Sequence, residues 1–231
     1  MNKFLILLSL FLFPQIGFGQ DTLKTKGKAK KMNHARVAAQ QIQDLHDGVL
    51  LVRLKTKSKT IEALREAGMH AQADKRQEKL NKTNRSIILA FNNYFDFCPT
   101  YFFFSHFSDH IRAKEFDKVE FVNRDFEVDT TIKLDGKTIF TAEFGPIEQD
   151  QDKYFEGYYL SRDENGLERK EKVYGSPNPG FEALLIKDDQ FVQLRDPFPF
   201  YVKKTGMLVV DKDARQLVNM MNKKLKRFYG Q

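Results

Sequence analysis

The chain has one cysteine and no tryptophan among its 231 residues. With a single thiol, Cys98, no internal disulfide can form, so packing has to stabilise the fold. Past the first nineteen residues, no apolar run approaches the roughly 20 residues a bilayer-spanning helix needs. Also missing are a Walker phosphate loop, a dinucleotide fingerprint, a zinc-protease motif and a G-x-S-x-G elbow. No enzyme class that announces itself by a local motif is indicated.

Phenylalanine, by contrast, is abundant, with 22 residues gathered in segments of strand character. That points to aromatic layers packed on a sheet. Positive charge is gathered too. Residues 24–36 carry six Lys/Arg, 53–59 carry four and 223–227 carry four, with no acidic residue in any of the three. These clusters exceed the whole net charge of +7, so the rest of the chain is acidic on balance. Clustered charge of this kind steers a protein toward anionic surfaces.

The opening "MNKFLILLSLFLFPQIGFGQ" has the order of an export signal. Lys3 precedes an apolar run from Phe4 to Phe13, Pro14 breaks it, and Gly17 and Gly19 supply the small residues of a cleavage site. No cysteine follows the run, so a lipid anchor is not expected. The reading is an exported protein of the periplasm or cell envelope, or one released outside the cell. Residues 1–19 form the signal peptide, 20–32 a basic disordered tail, and 33–231 a single domain.

Periodicity then predicts the elements. Asn33 caps a short helix with Ala35, Ala38, Ile42 and Leu45 on one stripe. "VLLVRLKTKSK" reads as a strand running from the core into solvent. Residues 59–96 are helical, with a break at Gly68 preferred over one long helix. "TYFFFSHF" reads as a strand covered on both faces, "SDHIRAKEF" as a short helix capped by Ser108, and "KVEFVN" as the next strand. This alternation specifies an α/β domain with a mixed sheet. The second half predicts two hairpins. One turns at Asp135-Gly136 and sets Ile132 opposite Ile139; the other turns at Asp188-Asp189 and pairs Ile186 with Phe191. A helix from about Lys212 to Tyr229, capped by Asp211, closes the chain.

The segments "DFCPTYFFF", "TAEFG" and "GFEALLIKDDQFVQLRDPFPFYV" resemble an uncharacterised family of exported Bacteroidetes proteins. The resemblance covers most of the chain after residue 19; it implies an envelope location and no particular activity. A sheet ending in a hairpin and a C-terminal helix is also similar to the thioredoxin fold. The Cys-x-x-Cys pair is absent, so that fold's redox chemistry does not transfer.

Four residues are the candidates for catalysis: Cys98, His106, Asp109 and His110. A nucleophilic thiol needs a nearby cation, base or helix N-terminus. Cys98 instead follows a helix C-terminus and sits among Phe97, Pro99 and Tyr101, which favours a packed core thiol. His106 and His110 are four apart, the spacing of a two-histidine metal site on one helix face. Ser108 as a cap would place His106 ahead of the helix and spoil that arrangement, and no metal or cofactor is expected. Glu143, Glu148, Asp150, Asp152 and Glu156 lack the spacing of a calcium loop and read as solvated. "YGSPNPG", 174–180, reads as a stiff exposed connector.

The remaining candidates are basic: Lys24, Lys26, Lys28, Lys30, Lys31, Arg53, Lys55 and Lys57. They suit an anionic envelope surface or an acidic protein partner. No nucleic-acid motif accompanies them. The expected function is a non-catalytic binding or structural module. The alternative is a hydrolase or thiol-dependent enzyme using the Cys98/His106/His110 region.

Overall fold

Val49–Leu54 (β1) is a strand with no polar residue before Arg53, and Leu50, Leu51 and Val52 are fully buried. A strand apolar on both faces belongs in the middle of a covered sheet, and β1 occupies that place. It pairs in parallel with Thr100–Phe104 (β2) on one side and Ile139–Pro146 (β4) on the other. Phe121–Val122 (β3) lies antiparallel to β2, Glu182–Lys187 (β7) antiparallel to β4, and Tyr201–Lys203 (β8) antiparallel to β7. The six-stranded order is β3-β2-β1-β4-β7-β8, a mixed sheet. Phe155–Arg162 (β5) and Glu168–Gly175 (β6) form a separate antiparallel pair. The computed structural model describes residues 20–123, 125–134, 136–148, 155–162, 168–175, 180–205 and 211–230; for 20–31, 155–162 and 168–175 it describes the backbone alone. The expected signal peptide lies outside these residues.

Among the described residues, five α-helices flank the sheet: Gln20–Asp47 (α1), Ser58–Glu66 (α2), His70–Tyr94 (α3), Ser108–Arg112 (α4) and Ala214–Tyr229 (α5). One face of the sheet, with Leu50, Val52, Phe102, Phe140 and Leu184, is covered by Ala38, Ile42 and Leu45 of α1, Ile87, Ile88 and Phe91 of α3, and Leu217, Val218 and Met221 of α5. The other face, with Val49, Leu51, Phe103 and Ile139, packs against Ile111 of α4 and against Val119 and Leu134. The aromatic run thus serves both layers, Phe102 in one and Phe103 in the other. The ends of α1 and α5 are tied by aromatic contacts: His46 stacks on Tyr229 at 4.3 Å, and both rings meet Phe97 edge-on.

The mixed α/β architecture, the helix break at Gly68 (φ +74°) and the closing helix agree with the sequence. Several local expectations do not. The helix capped in prediction at Asn33 begins at Gln20, so 20–32 continues α1 where a disordered tail is expected. Lys and Ala are strong helix formers, and an existing helix extends at low cost. β1 stops at Leu54; Lys57 turns left-handed (φ +48°) and starts α2, so the alternating basic residues beyond Arg53 are not on a strand.

There is no hairpin setting Ile132 opposite Ile139. Ile139 pairs with Val49 of β1 instead. β4 carries buried residues on both faces, which only a central position can cover, whereas Ile132 and Leu134 pack as irregular chain. Asp135, at the expected turn, lies outside the described residues. β7 likewise has both faces buried and sits between β4 and β8. The Asp188 carboxylate accepts from the backbone N–H of Gln190 and Val192, and this turn brings Lys187 opposite Gln193 rather than Ile186 opposite Phe191. The cap of α5 is Asp213, not Asp211. Its carboxylate accepts from the Gln216 N–H while the Gln216 side chain accepts from the Asp213 N–H, a reciprocal capping box.

Candidate functional site

The chain leaves β1 through α2 and α3 to reach β2 on one side. It returns to β4 on the other side by way of β3 and Leu134, across the opposite face. Strand order therefore reverses at the carboxyl end of β1, where open α/β sheets leave a crevice. A cleft of about 770 Å³ opens there, within the size range of small-molecule sites. Lys55 and Lys57 enter it from the end of β1, and Lys75, Arg76 and Lys79 from α3. Lys204 follows β8, and Lys212 precedes α5. Counting Arg53, eight basic residues line the cleft against two acidic ones, Glu182 and Asp213.

Five of the eight basic residues are not neutralised locally by any described residue. Lys55, Lys57, Lys75, Arg76 and Lys79 are exposed and have no ion-pair partner among the described residues. Lys75 and Lys79 are one helical turn apart, as are Arg76 and Lys79; like charges at these spacings weaken a helix. Lys204 pairs with Asp211 at 3.2 Å, and Lys212 donates to the Lys203 carbonyl. The N-cap of α2 is Lys57, whose side chain supplies no acceptor, and its first turn has no acidic residue. The positive end of that helix thus adds to the field in the cleft. Beneath the cations lie Leu80, Ile87, Phe144, Ala183 and Leu217. The buried Asn84 side chain donates to the Lys55 carbonyl at 3.0 Å, fixing the segment that carries Lys55 and Lys57.

Arg53 lines the cleft but points its guanidinium to the opposite face of the sheet. Nη1 donates to Glu143 Oε2 at 2.7 Å and Nε donates to Ser108 Oγ at 2.9 Å. Glu143 also receives Lys187 Nζ at 2.9 Å, and Lys187 bonds Glu148 at 2.6 Å. Burial alone would raise Glu143, but bonds from Lys187 and Arg53 outweigh it and hold the carboxyl below the ordinary range. The same balance keeps Lys187 above its ordinary value despite burial, through Glu148 and Glu143. Glu143 and Glu148, expected in solvent, belong to this network; Asp150 and Asp152 lie outside the described residues, as does the side chain of Glu156. Most of "YGSPNPG" lies outside them too. The side chains of Lys24, Lys26, Lys28, Lys30 and Lys31 lie outside as well, although their backbone is in α1.

The catalytic candidates do not converge. Cys98 is buried in the main core, and burial pushes its thiol up to about 12 despite an opposing backbone contact from Leu50. His106 stands exposed in a 3-10 turn, Ser105–Phe107, against Phe104 and Phe107. His110, in α4, bonds Glu115 at 2.7 Å. Asp109 pairs with Arg112 at 2.7 Å. Ser108 does not cap α4; its hydroxyl donates to the Ser105 carbonyl and accepts from Arg53. Among the described residues, no three His, Cys, Asp or Glu side chains are grouped to hold a metal ion, and no helix is long and apolar enough to cross a membrane.

Sequence reasoning missed Lys75, Arg76, Lys79, Lys204 and Lys212. In "QADKRQEK" the three bases are interspersed with Asp74 and Glu78, so charge counted along the chain nearly cancels. On the helix those acids fall outside the cleft lining; Asp74 turns toward Arg65 at 3.6 Å. Helical phase was the one available signal. Comparison with protein-family models, curated proteins and solved structures gives no match.

Proposed function

We propose that this chain is an exported, non-catalytic binding protein of the cell envelope whose anionic partner engages the cleft at the carboxyl end of β1. One observation carries the reading: cations from four separate parts of the chain face one crevice, and five of them lack a carboxylate partner among the described residues. Ordering like charges together costs stability unless a counter-charge arrives. The export half rests on the N-terminal sequence and on the resemblance to exported proteins. The binding half rests on the cleft. A catalytic alternative through Cys98 is disfavoured by a buried thiol that stays protonated at physiological pH.

The test is retention of the purified protein on phosphatidylglycerol vesicles across salt. Binding should be strong at low ionic strength and fall steeply by about 0.5 M salt, where the screening length is only a few ångströms. Lys55→Glu with Lys57→Glu should abolish most of it. Cys98→Ser and His106→Ala should leave it unchanged. Equal retention of wild type and the double charge reversal sinks the reading. Neutralising Lys24, Lys26, Lys28, Lys30 and Lys31 separately measures what α1 adds.

A further inference from the structure

The cleft is not uniformly polar, and its two layers differ in chemistry. Cations occupy the rim: Lys75, Arg76 and Lys79 on α3, with Lys55 and Lys57 across from them on the segment leaving β1. Ile87, Ala183 and Leu217, all buried, and half-buried Phe144 make the inner lining apolar, and the buried Asn84 amide among them is taken up by the Lys55 carbonyl. A site for a bare polyanion such as pyrophosphate would present polar side chains and backbone donors at depth as well as at the rim. A site for a neutral apolar molecule would not surround its mouth with unneutralised lysines. The combination of charged rim and apolar floor is complementary to a molecule built the same way.

We infer that the cleft takes an anionic amphiphile, a phosphate-bearing headgroup held by the lysine rim and an alkyl or acyl portion laid on the Ile87/Phe144/Leu217 floor. This rests on the anion-binding reading above and specifies its ligand class. The cleft, at about 770 Å³, holds a headgroup and a short length of chain, not a whole long-chain lipid. The chemistry has two sources, a soluble alkyl phosphate or the headgroup region of a membrane lipid. Phe144 and Asn84 are positioning residues here, shaping the floor and the rim segment respectively.

Calorimetric titration with an alkyl phosphate series tests this without disturbing the core. Octyl phosphate, below its micelle concentration, should bind one to one and at least ~10-fold more tightly than butyl phosphate, since each added methylene is buried. Inorganic phosphate should match or fall below butyl phosphate, and octyl glucoside should not bind. Lys75→Glu with Lys79→Glu should weaken octyl phosphate roughly 10-fold, while Lys223→Glu with Arg227→Glu, the same charge change elsewhere, should change it less than about twofold. Displacement of octyl phosphate by phosphatidylglycerol vesicles identifies a membrane lipid as the source; its persistence identifies a soluble amphiphile. Equal affinity for butyl and octyl phosphate overturns the amphiphile inference and leaves the anion-binding reading standing. No binding by any phosphate, or equal losses in the two charge-reversed variants, overturns both.

Discussion

Arg53 Nη1 reaches Glu143 Oε2 at 2.7 Å on the face of the sheet away from the cleft. Two adjacent parallel strands, β1 and β4, are thereby joined by their side chains as well as by their ladder. Lys187, on β7 and only 6% exposed, binds the second carboxylate oxygen. Glu143 therefore holds two cations from flanking strands.

Replacing Glu143 by Gln leaves the buried Lys187 with Glu148 alone and takes from Arg53 the carboxylate it binds. The expected loss is about 2–3 kcal/mol, below the range for a fully buried pair because Arg53 is partly exposed. The depressed Glu143 carboxyl also sets a pH dependence. Its contribution is present above the unfolded carboxyl value near ~4.3 and disappears as pH falls through the lower folded value. Lys187, raised when folded, contributes below its unfolded value near ~10.4 and loses that contribution as pH rises through the folded one. Urea midpoints between pH 3 and neutrality should fall steeply for wild type and less so for Glu143→Gln; parallel curves contradict the assignment.

Cys98 should resist a thiol reagent in the native state and react normally in urea. Its burial predicts native rates slower by at least ~100-fold at pH 8, limited by opening of the structure. A native reaction titrating well below about 12 would show that the thiol is accessible and that the core packing described here is incorrect. Cys98→Ser should destabilise by about 1–3 kcal/mol, since it buries a hydroxyl.

Asp213 has two duties that substitution can separate, because it caps α5 and is one of two carboxylates on the cleft. Asn keeps the cap while removing the charge. Asp213→Asn should tighten octyl phosphate binding roughly 2-fold through the added net positive field, with the melting temperature nearly unchanged. Asp213→Ala should tighten binding similarly and lower the melting temperature by a few degrees. Identical melting behaviour of the two variants would refute the capping role.

The sequence by itself determined what depends on near neighbours along the chain. Phe102 and Phe103 read as a strand covered on both faces, Gly68 as a break, Leu217, Val218 and Met221 as the buried stripe of a closing helix, and Cys98 as a core thiol. Each follows from periodicity or from one residue's conformational freedom, and the structure bears each of them out.

Tertiary structure decided which strands meet and which charges face each other. Ile139 could satisfy its backbone in a hairpin with Ile132 or beside Val49. Burial of both faces of β4 selects the second, a comparison of long-range arrangements that local pattern does not encode. The same choice gathers Lys55, Lys79, Lys204 and Lys212, up to 157 positions apart in the numbering, into one cleft, and it turns Arg53 away from them toward Glu143. Charge along a chain sums by sequence, whereas an electric field sums by distance in space, so the cleft existed only once the sheet had ordered its strands.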